Sequence, residues 1–346
     1  MQIERFTFGT FYNQSVSRIV LSNENGMSVS VLELGGIINQ LHVPDDKGEL
    51  ADVVLGFDSL SPYTRDNHYF GAMIGRVANR IEGAEFNLDG ETIRVNGNAY
   101  AGKHCVHGGR FGYHRRVWQE VESSQSDSEV SVTLKLLDAD GEEGFKHNVE
   151  VLATYTLTNS NKLTLSYSAT ADGPTPISMT AHSYFNLFGH ENGSVKDHSL
   201  TIFADKLLEQ KEDRIPSGNL ISVKGTEFCF GRQTLLREGV EKGLEINHSY
   251  AFGHPETCTG DLKKMARLEA GGRVLTVFSN EKTLHFYNGH NLDGIDGKGE
   301  AYYPRYAGLC LEPKGYVNGI NEPNFPCTVI DPSTSYDHTI VYDFSQ

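Results

Sequence analysis

The segments Glu150-Val-Leu-Ala-Thr-Tyr-Thr-Leu157 and Lys162-Leu-Thr-Leu-Ser-Tyr-Ser-Ala169 decide the fold class of this chain. In both, β-branched, aromatic and other apolar residues alternate or run together, which is typical of β-strands. Residues 273–279 and 338–344 repeat the pattern, and turn pairs such as Asn96-Gly97 and Asp140-Gly141 separate runs of this kind. Many strands without a βαβ alternation predict an all-β sandwich.

Helical periodicity is scarce in this sequence. Residues 232–243 could form a short helix, and residues 61–65 a single turn. No linker, low-complexity tract or internal repeat divides the chain. We therefore expect residues 1–346 to form one large domain.

Composition and charge exclude several classes of partner. The 346 residues are 38% hydrophobic and carry a formal net charge of −15, which argues against binding to nucleic acid or to anionic lipid. There is no signal-like start and no apolar run of transmembrane length. The five cysteines are scattered without metal-ligand or redox spacing, which favours a reducing compartment: Cys105, Cys229, Cys258, Cys310 and Cys327. The sequence predicts a soluble, cytoplasmic protein.

His182 lies in the segment Thr180-Ala-His-Ser-Tyr-Phe-Asn-Leu-Phe-Gly189, which has the composition of a strand. Alternation places its imidazole on one face with Thr180 and Tyr184, a polar set that does not suit a dry core. An imidazole titrates near neutral pH and can donate a proton if it faces a cavity. The alternative is a buried structural histidine.

Glu312 closes an apolar strand in the segment Gly308-Leu-Cys-Leu-Glu-Pro-Lys-Gly315. Burial of a carboxylate raises its pKa toward that of a useful base. Alternation places Glu312 on the same face as Cys310 and Gly308, whose small side chains leave room for a ligand. An exposed glutamate beside a turn is the alternative.

Two further segments hold candidate binding residues. In Cys105-Val-His-Gly-Gly109, His107 precedes two glycines that allow a close backbone approach or a sharp turn. Arg80 ends Gly75-Arg-Val-Ala-Asn-Arg80, and its forked donors could bind a hydroxyl or a carboxylate. A loop histidine and a surface arginine are the respective alternatives.

No metal site is predicted from the sequence. The acidic stretches 138–143 and 293–300 lack the ligand spacing of a calcium-binding loop and are expected to connect hairpins. No cluster of histidines and cysteines indicates zinc.

Taken in order along nearly the whole chain, these segments resemble the aldose 1-epimerase, or galactose mutarotase, family. The resemblance rests on several motifs quoted in sequence order: residues 69–81, Val106-His-Gly-Gly109 with Trp118 downstream, residues 176–189, Ile215-Pro-Ser-Gly218, Phe286-Tyr-Asn-Gly289, Leu311-Glu312, Asn321-Glu-Pro-Asn-Phe-Pro326 and Tyr336-Asp-His-Thr339. It implies a large antiparallel β-sandwich with an open sugar cleft, without cofactor or metal. The protein would act as a monomer or homodimer on a free monosaccharide.

The resemblance also implies roles for individual residues. Glu312 matches the family's base and His182 its acid. Arg80 and His107 match residues that hold sugar hydroxyls or the ring oxygen, and Asn79 matches a neighbouring site residue. The implied activity is the interconversion of the α and β anomers of a hexose such as galactose or glucose.

This sequence departs from the family at two positions expected to bind substrate. Asn247 stands where a substrate-binding aspartate is usual, and His285 where glutamine is frequent. An amide retains hydrogen bonding but loses the charge. Two alternatives follow: a mutarotase for a uronate or modified sugar, and a sandwich that binds sugar without catalysis. A sugar-phosphate enzyme would require a more basic cleft.

Overall fold

The computed structural model describes residues 1–65, 67–253 and 262–345, so that Cys258 lies outside the described residues. In chain order the described strands begin with β1 (Gln2–Phe11), β2 (Gln14–Ser22), β3 (Ser28–Leu32), β4 (Ile37–Pro44), β5 (Leu50–Asp52), β6 (Met73–Ile74), β7 (Arg80–Ile81), β8 (Glu85–Leu88), β9 (Glu91–Arg94) and β10 (Cys105–Val106). They continue with β11 (Gln119–Gln125), β12 (Glu129–Asp138), β13 (Val149–Thr158), β14 (Lys162–Ala171), β15 (Thr175–Pro176), β16 (Thr180–Ala181), β17 (Tyr184–Phe185), β18 (Ser199–Ile202), β19 (Lys206–Gln210) and β20 (Pro216–Ser222). The remainder are β21 (Thr234–Leu235), β22 (Asn247–Ala251), β23 (Lys263–Ala270), β24 (Arg273–Ser279), β25 (Thr283–Tyr287), β26 (Ile295–Asp296), β27 (Tyr302–Tyr303), β28 (Leu309–Lys314), β29 (Val329–Ile330) and β30 (Tyr336–Asp343).

Helices are short and peripheral. Two α-helices are described, α1 (Leu60–Tyr63) and α2 (Arg237–Glu241). Single 3-10 turns lie at Glu82–Ala84, Tyr113–Arg115, Glu142–Gly144, Val195–Asp197 and Lys298–Glu300. Helix α2 is shorter than the predicted span 232–243, because Thr234 and Leu235 pair with β18 instead. None of the helices in the described residues combines the length and the apolar character needed to cross a bilayer.

Three antiparallel sheets carry most of the structure. One has five strands in the order β1-β2-β3-β4-β5, and the largest has nine in the order β11-β12-β13-β14-β30-β24-β23-β18-β21. The third, which we call the site sheet, has six strands in the order β17-β28-β25-β22-β19-β20. The predicted all-β, antiparallel class is confirmed.

Strict alternation builds the core between the sheets. Along β14 every second residue is buried, from Leu163 through Leu165 and Tyr167 to Ala169. The largest apolar cluster joins these side chains to one face of the site sheet, including Leu284, Phe286, Leu309 and Leu311. The opposite face of the site sheet is therefore free to carry polar groups.

The predicted connections at the acidic stretches are confirmed as hairpins. Residues 138–143 link β12 to β13, which pair along their whole length. Residues 293–300 contain β26 and lead into its partner β27.

A buried ion pair fixes the edge of the fold near β5. Lys298 Nζ lies 2.6 Å from Asp52 Oδ2 and also donates to the carbonyl oxygens of Asn39 and Val54. Asp52 Oδ1 accepts from the Leu41 N–H at 2.9 Å. Both side chains are buried, so each charge depends on its partner for solvation.

Replacing Asp52 with asparagine is expected to destabilise the fold by about 3–5 kcal/mol, because it leaves the Lys298 ammonium buried without a counter-charge. Urea unfolding of the purified variant measures this change. The double variant Asp52→Asn with Lys298→Met should recover part of the loss. Equal stability of Asp52→Asn and the natural chain would contradict this account.

Candidate active site

The polar face of the site sheet is assembled by strand register. In β28 the side chains of Cys310, Glu312 and Lys314 alternate onto one face. His285 of β25 stands directly opposite Glu312. Ser249 of β22 stands opposite His285, so three neighbouring strands contribute to one row of polar groups.

His182 approaches this row from the segment between β16 and β17. Its backbone N–H donates to the Ala72 carbonyl, and its carbonyl accepts from the Gly71 N–H. The imidazole Nε2 lies 3.7 Å from Glu312 Oε1, and Nδ1 lies 3.6 Å from Cys310 Sγ. Burial raises the pKa of the Cys310 thiol, which therefore keeps its proton near neutral pH. The ring thus turns Nε2, rather than Nδ1, toward Glu312.

Glu312 is the most unusual group in this face. Its side chain is 1% exposed. Neither carboxylate oxygen has a hydrogen-bond partner among the described residues. A buried carboxylate without donors is costly, because it loses its hydration and gains nothing in return. Such a group indicates a binding site in which a ligand supplies the missing hydrogen-bond donor.

A second wall comes from the short pair β7 and β10, in which Arg80 stands opposite Val106. His107 Nδ1 accepts from the Asn79 N–H at 3.2 Å, so the neutral ring carries its proton on Nε2. Asn79 Oδ1 accepts from Arg80 Nη1 at 2.9 Å, while Arg80 Nε has no partner among the described residues. His107 and His182 stand edge to face, with ring centroids 5.4 Å apart.

After His107 the backbone passes close to another segment, as its two glycines allow. Gly108 has a φ of +78°, and a Cβ there would lie 2.0 Å from the Gly75 carbonyl oxygen. Only a glycine allows the chain to pass this close to Gly75.

These walls enclose one cavity of about 280 Å³. All seven residues predicted for the site line it: Asn79, Arg80, His107, His182, Asn247, His285 and Glu312. The structure adds residues that sequence reasoning missed: Asn67, His68, Tyr69, Val106, Tyr184, Arg214, Tyr287 and Asn291. Alternation from His182 points to Tyr184, which shares its face, whereas Arg214 sits in a turn and gives no periodic signal.

Burial sets the protonation state of several groups around the cavity. It lowers the pKa of His107 and of His285 well below 6.5, and the neighbouring cations reinforce the shift. It lowers the pKa of His114, which contacts Tyr69, to about 3. Burial also lowers the pKa of Lys314 to about 8, although Glu312 opposes that shift. Near neutral pH the three histidines are uncharged and Lys314 is largely an ammonium.

These buried histidines predict a loss of stability in acid. Above about pH 6.5 the folded and unfolded states are both neutral at His107, His114 and His285, and the full stability is present. Below that pH these histidines bind protons in the unfolded chain but stay neutral in the folded chain. The free energy of unfolding should fall by roughly 1.4 kcal/mol per pH unit for each group. Urea midpoints at about pH 7 and about pH 5 test this; equal midpoints would contradict it.

His182, Cys310 and Glu312 also offer a nitrogen, a sulfur and an oxygen within 4.8 Å of one another. Three such ligands can hold a zinc ion. Without a metal, burial keeps the Cys310 thiol protonated, so a metal bound here would have to displace that proton.

The fold and the cavity define an antiparallel β-sandwich that holds a histidine and a buried glutamate side by side in a polar cleft. The family model for aldose 1-epimerase matches residues 17–343, and the chain belongs to this family. Galactose mutarotase from Bos taurus is 37% identical over 326 residues, covering 92% of this chain and 91% of that protein. Aldose 1-epimerase from Escherichia coli K12 is 32% identical over 338 residues and 94% of each chain.

The fold agrees with solved structures. The structure of an aldose epimerase homologue from C. elegans has a TM-score of 0.85 at 27% identity, and the match covers 96% of this chain and 99% of that one. The structure of galactose 1-epimerase from Lactobacillus acidophilus has a TM-score of 0.84 at 22% identity, over 99% and 98% of the two chains.

Proposed function

We propose that this isomerase interconverts the α and β anomers of a free hexose such as galactose or glucose, with Glu312 as the base and His182 as the acid. The observation that carries the proposal is the buried Glu312 carboxylate, which has no hydrogen-bond partner among the described residues, with the imidazole of His182 3.7 Å away. A carboxylate in that state is a competent proton acceptor, and the imidazole beside it is a competent donor.

The reaction needs two proton transfers, one at each of the two oxygens bonded to C1. Glu312 takes the proton of the anomeric hydroxyl while His182 protonates the ring oxygen, which opens the hemiacetal. The aldehyde turns about the bond between C1 and C2 and closes on its other face. Glu312 then returns its proton to the new anomeric oxygen, and His182 recovers a proton from the sugar hydroxyl that becomes the ring oxygen again. The transfers balance, and each catalyst ends in its starting state.

The second wall supplies donors for the sugar. His107 presents Nε2–H, because its other nitrogen is occupied by the Asn79 N–H. Asn79 accepts a hydrogen bond from one arm of the Arg80 guanidinium, whereas Arg80 Nε has no partner within the described part of the chain. These donors can hold hydroxyls or the ring oxygen and so bring the two oxygens bonded to C1 within reach of Glu312 and His182. On the site sheet, Asn247 and His285 line the same cavity.

Polarimetry on freshly dissolved α-galactose tests the proposal. The rate constant for relaxation to the equilibrium rotation should rise in proportion to protein concentration. A non-catalytic sugar-binding protein would leave that rate at its uncatalysed value at every concentration, which would overturn the proposed function.

We further propose that the protein works in a reducing, cytoplasmic compartment. Cys105, Cys229, Cys310 and Cys327 are free thiols in the structure, as expected for such a compartment.

A further inference from the structure

Asn247 is held in one orientation by a chain of hydrogen bonds beneath the cavity. Asn247 Oδ1 lies 2.8 Å from His285 Nε2, and His285 Nδ1 lies 2.8 Å from Ser249 Oγ. Lys314 Nζ lies 3.1 Å from the same Ser249 oxygen. Ser249, His285 and Lys314 are buried, so water does not compete for the hydrogen bonds between them.

The donor and acceptor in each of these hydrogen bonds follow from Lys314, at the buried end of the series. The Lys314 ammonium has donors and no acceptor, so the Ser249 oxygen accepts from it. The Ser249 hydroxyl therefore donates to His285 Nδ1, and His285, which is neutral, donates from Nε2 to Asn247 Oδ1. The amide oxygen of Asn247 is thereby engaged. Its Nδ2 group has no acceptor among the described residues and is left to donate into the cavity.

Cationic groups lie in or beneath the same cavity as this amide. Arg80 and Arg214 both line the cavity, and Lys314 lies just beneath it. The guanidinium of Arg214 is paired with Glu245 at 3.9 Å, a separation longer than a hydrogen bond. Among the lining residues Glu312 alone is acidic, and the mechanism uses it as the base. Apart from that base, the charged lining groups are hydrogen-bond donors.

A ligand that fits this lining carries acceptors opposite Asn247 and the arginines. A neutral sugar offers hydroxyls, each of which is satisfied best by both a donor and an acceptor. A carboxylate offers acceptors only, and it pairs with guanidinium through two parallel bonds. We propose that the Asn247 amide and the Arg214 and Arg80 guanidinium groups form a subsite for a carboxylate, so that the preferred substrate is an aldohexuronate. This proposal rests on the proposed function and narrows its substrate class.

The net charge of −15 does not oppose this assignment inside the cavity. At physiological salt, exposed charges are screened over roughly 8 Å, so the groups that line the cavity determine the local potential. Arg80 and Arg214 are only partly exposed, and charges that face a small cavity are screened less than fully exposed ones.

Anomer exchange measured by NMR tests the subsite with galactose and galacturonate as a matched pair. The natural chain should show a kcat/KM at least about tenfold higher for galacturonate, as expected for one charge-assisted contact. Arg214→Gln should lower the ratio of the two kcat/KM values about tenfold or more. Asn247→Asp, which places an anion opposite the carboxylate, should lower that ratio further. Arg237→Gln removes an exposed arginine on α2 and should leave both values unchanged.

The outcomes separate the substrate class from the reaction. Relaxation of galactose with a ratio of one or less would overturn the uronate subsite and leave the mutarotase activity standing. A ratio that Arg214→Gln does not change would overturn the role of Arg214. A higher kcat/KM for galactose 6-phosphate than for galacturonate would replace the carboxylate by a phosphate. If the natural chain relaxes none of these sugars, the proposed function itself fails.

Discussion

Replacing Glu312 with glutamine is expected to lower kcat for mutarotation by roughly 10³–10⁴-fold, near the upper end of what a positioned base contributes. Glutamine keeps the shape of the side chain but cannot accept the anomeric proton. Because the oxygens of Glu312 have no partner among the described residues, the substitution breaks no hydrogen bond there and should not unfold the protein. KM for galactose should change much less than kcat. Polarimetry at several sugar concentrations separates the two constants.

Glu269 offers a matched control for this change. It lies on β23 of the nine-stranded sheet and pairs with Arg267, away from the cavity. Glu269→Gln should leave kcat unchanged. Activity in Glu312→Gln within a few-fold of the natural chain would exclude Glu312 as the base.

Replacing His182 with glutamine is expected to lower kcat by roughly 10²–10³-fold. The amide can still hydrogen-bond to the ring oxygen of the sugar, but it cannot transfer a proton to it. The loss should be smaller than for Glu312→Gln, because water can supply a proton to the ring oxygen more readily than a neutral amide can remove one. The same polarimetric assay measures it.

His42→Gln serves as the histidine control, since His42 lies on β4 in the five-stranded sheet. It should retain the full rate. If His182→Gln also retained the full rate, another group would have to protonate the ring oxygen.

Much of the fold could be predicted because its signals are local. The alternation in residues 150–157 and 162–169 appears in the structure as β13 and β14, whose side chains alternate between core and exterior. The sequence predicts a helix over 232–243 that is longer than α2, since the pairing of Thr234 with β18 depends on contacts far along the chain. Local sequence propensity cannot predict such long-range pairing.

The site divides in the same way. The face shared by Cys310 and Glu312 follows from one strand, and the same alternation extends to Lys314. The contact of Asn247 with His285 joins residues 38 apart and needs the register of β22 on β25, which no local pattern specifies. The direction of the hydrogen bonds beneath the cavity therefore emerges only from the structure.

Exchange NMR of galactose at anomeric equilibrium in D₂O tests the central claim most directly. Ring opening by proton transfer to and from the oxygens of the sugar breaks no C–H bond. We expect magnetisation transfer between the α and β H1 signals at a rate proportional to protein concentration. The rate should be strongly reduced in Glu312→Gln, and H2 should retain its protium. Transfer at the protein-free rate, or entry of deuterium at C2, would contradict it.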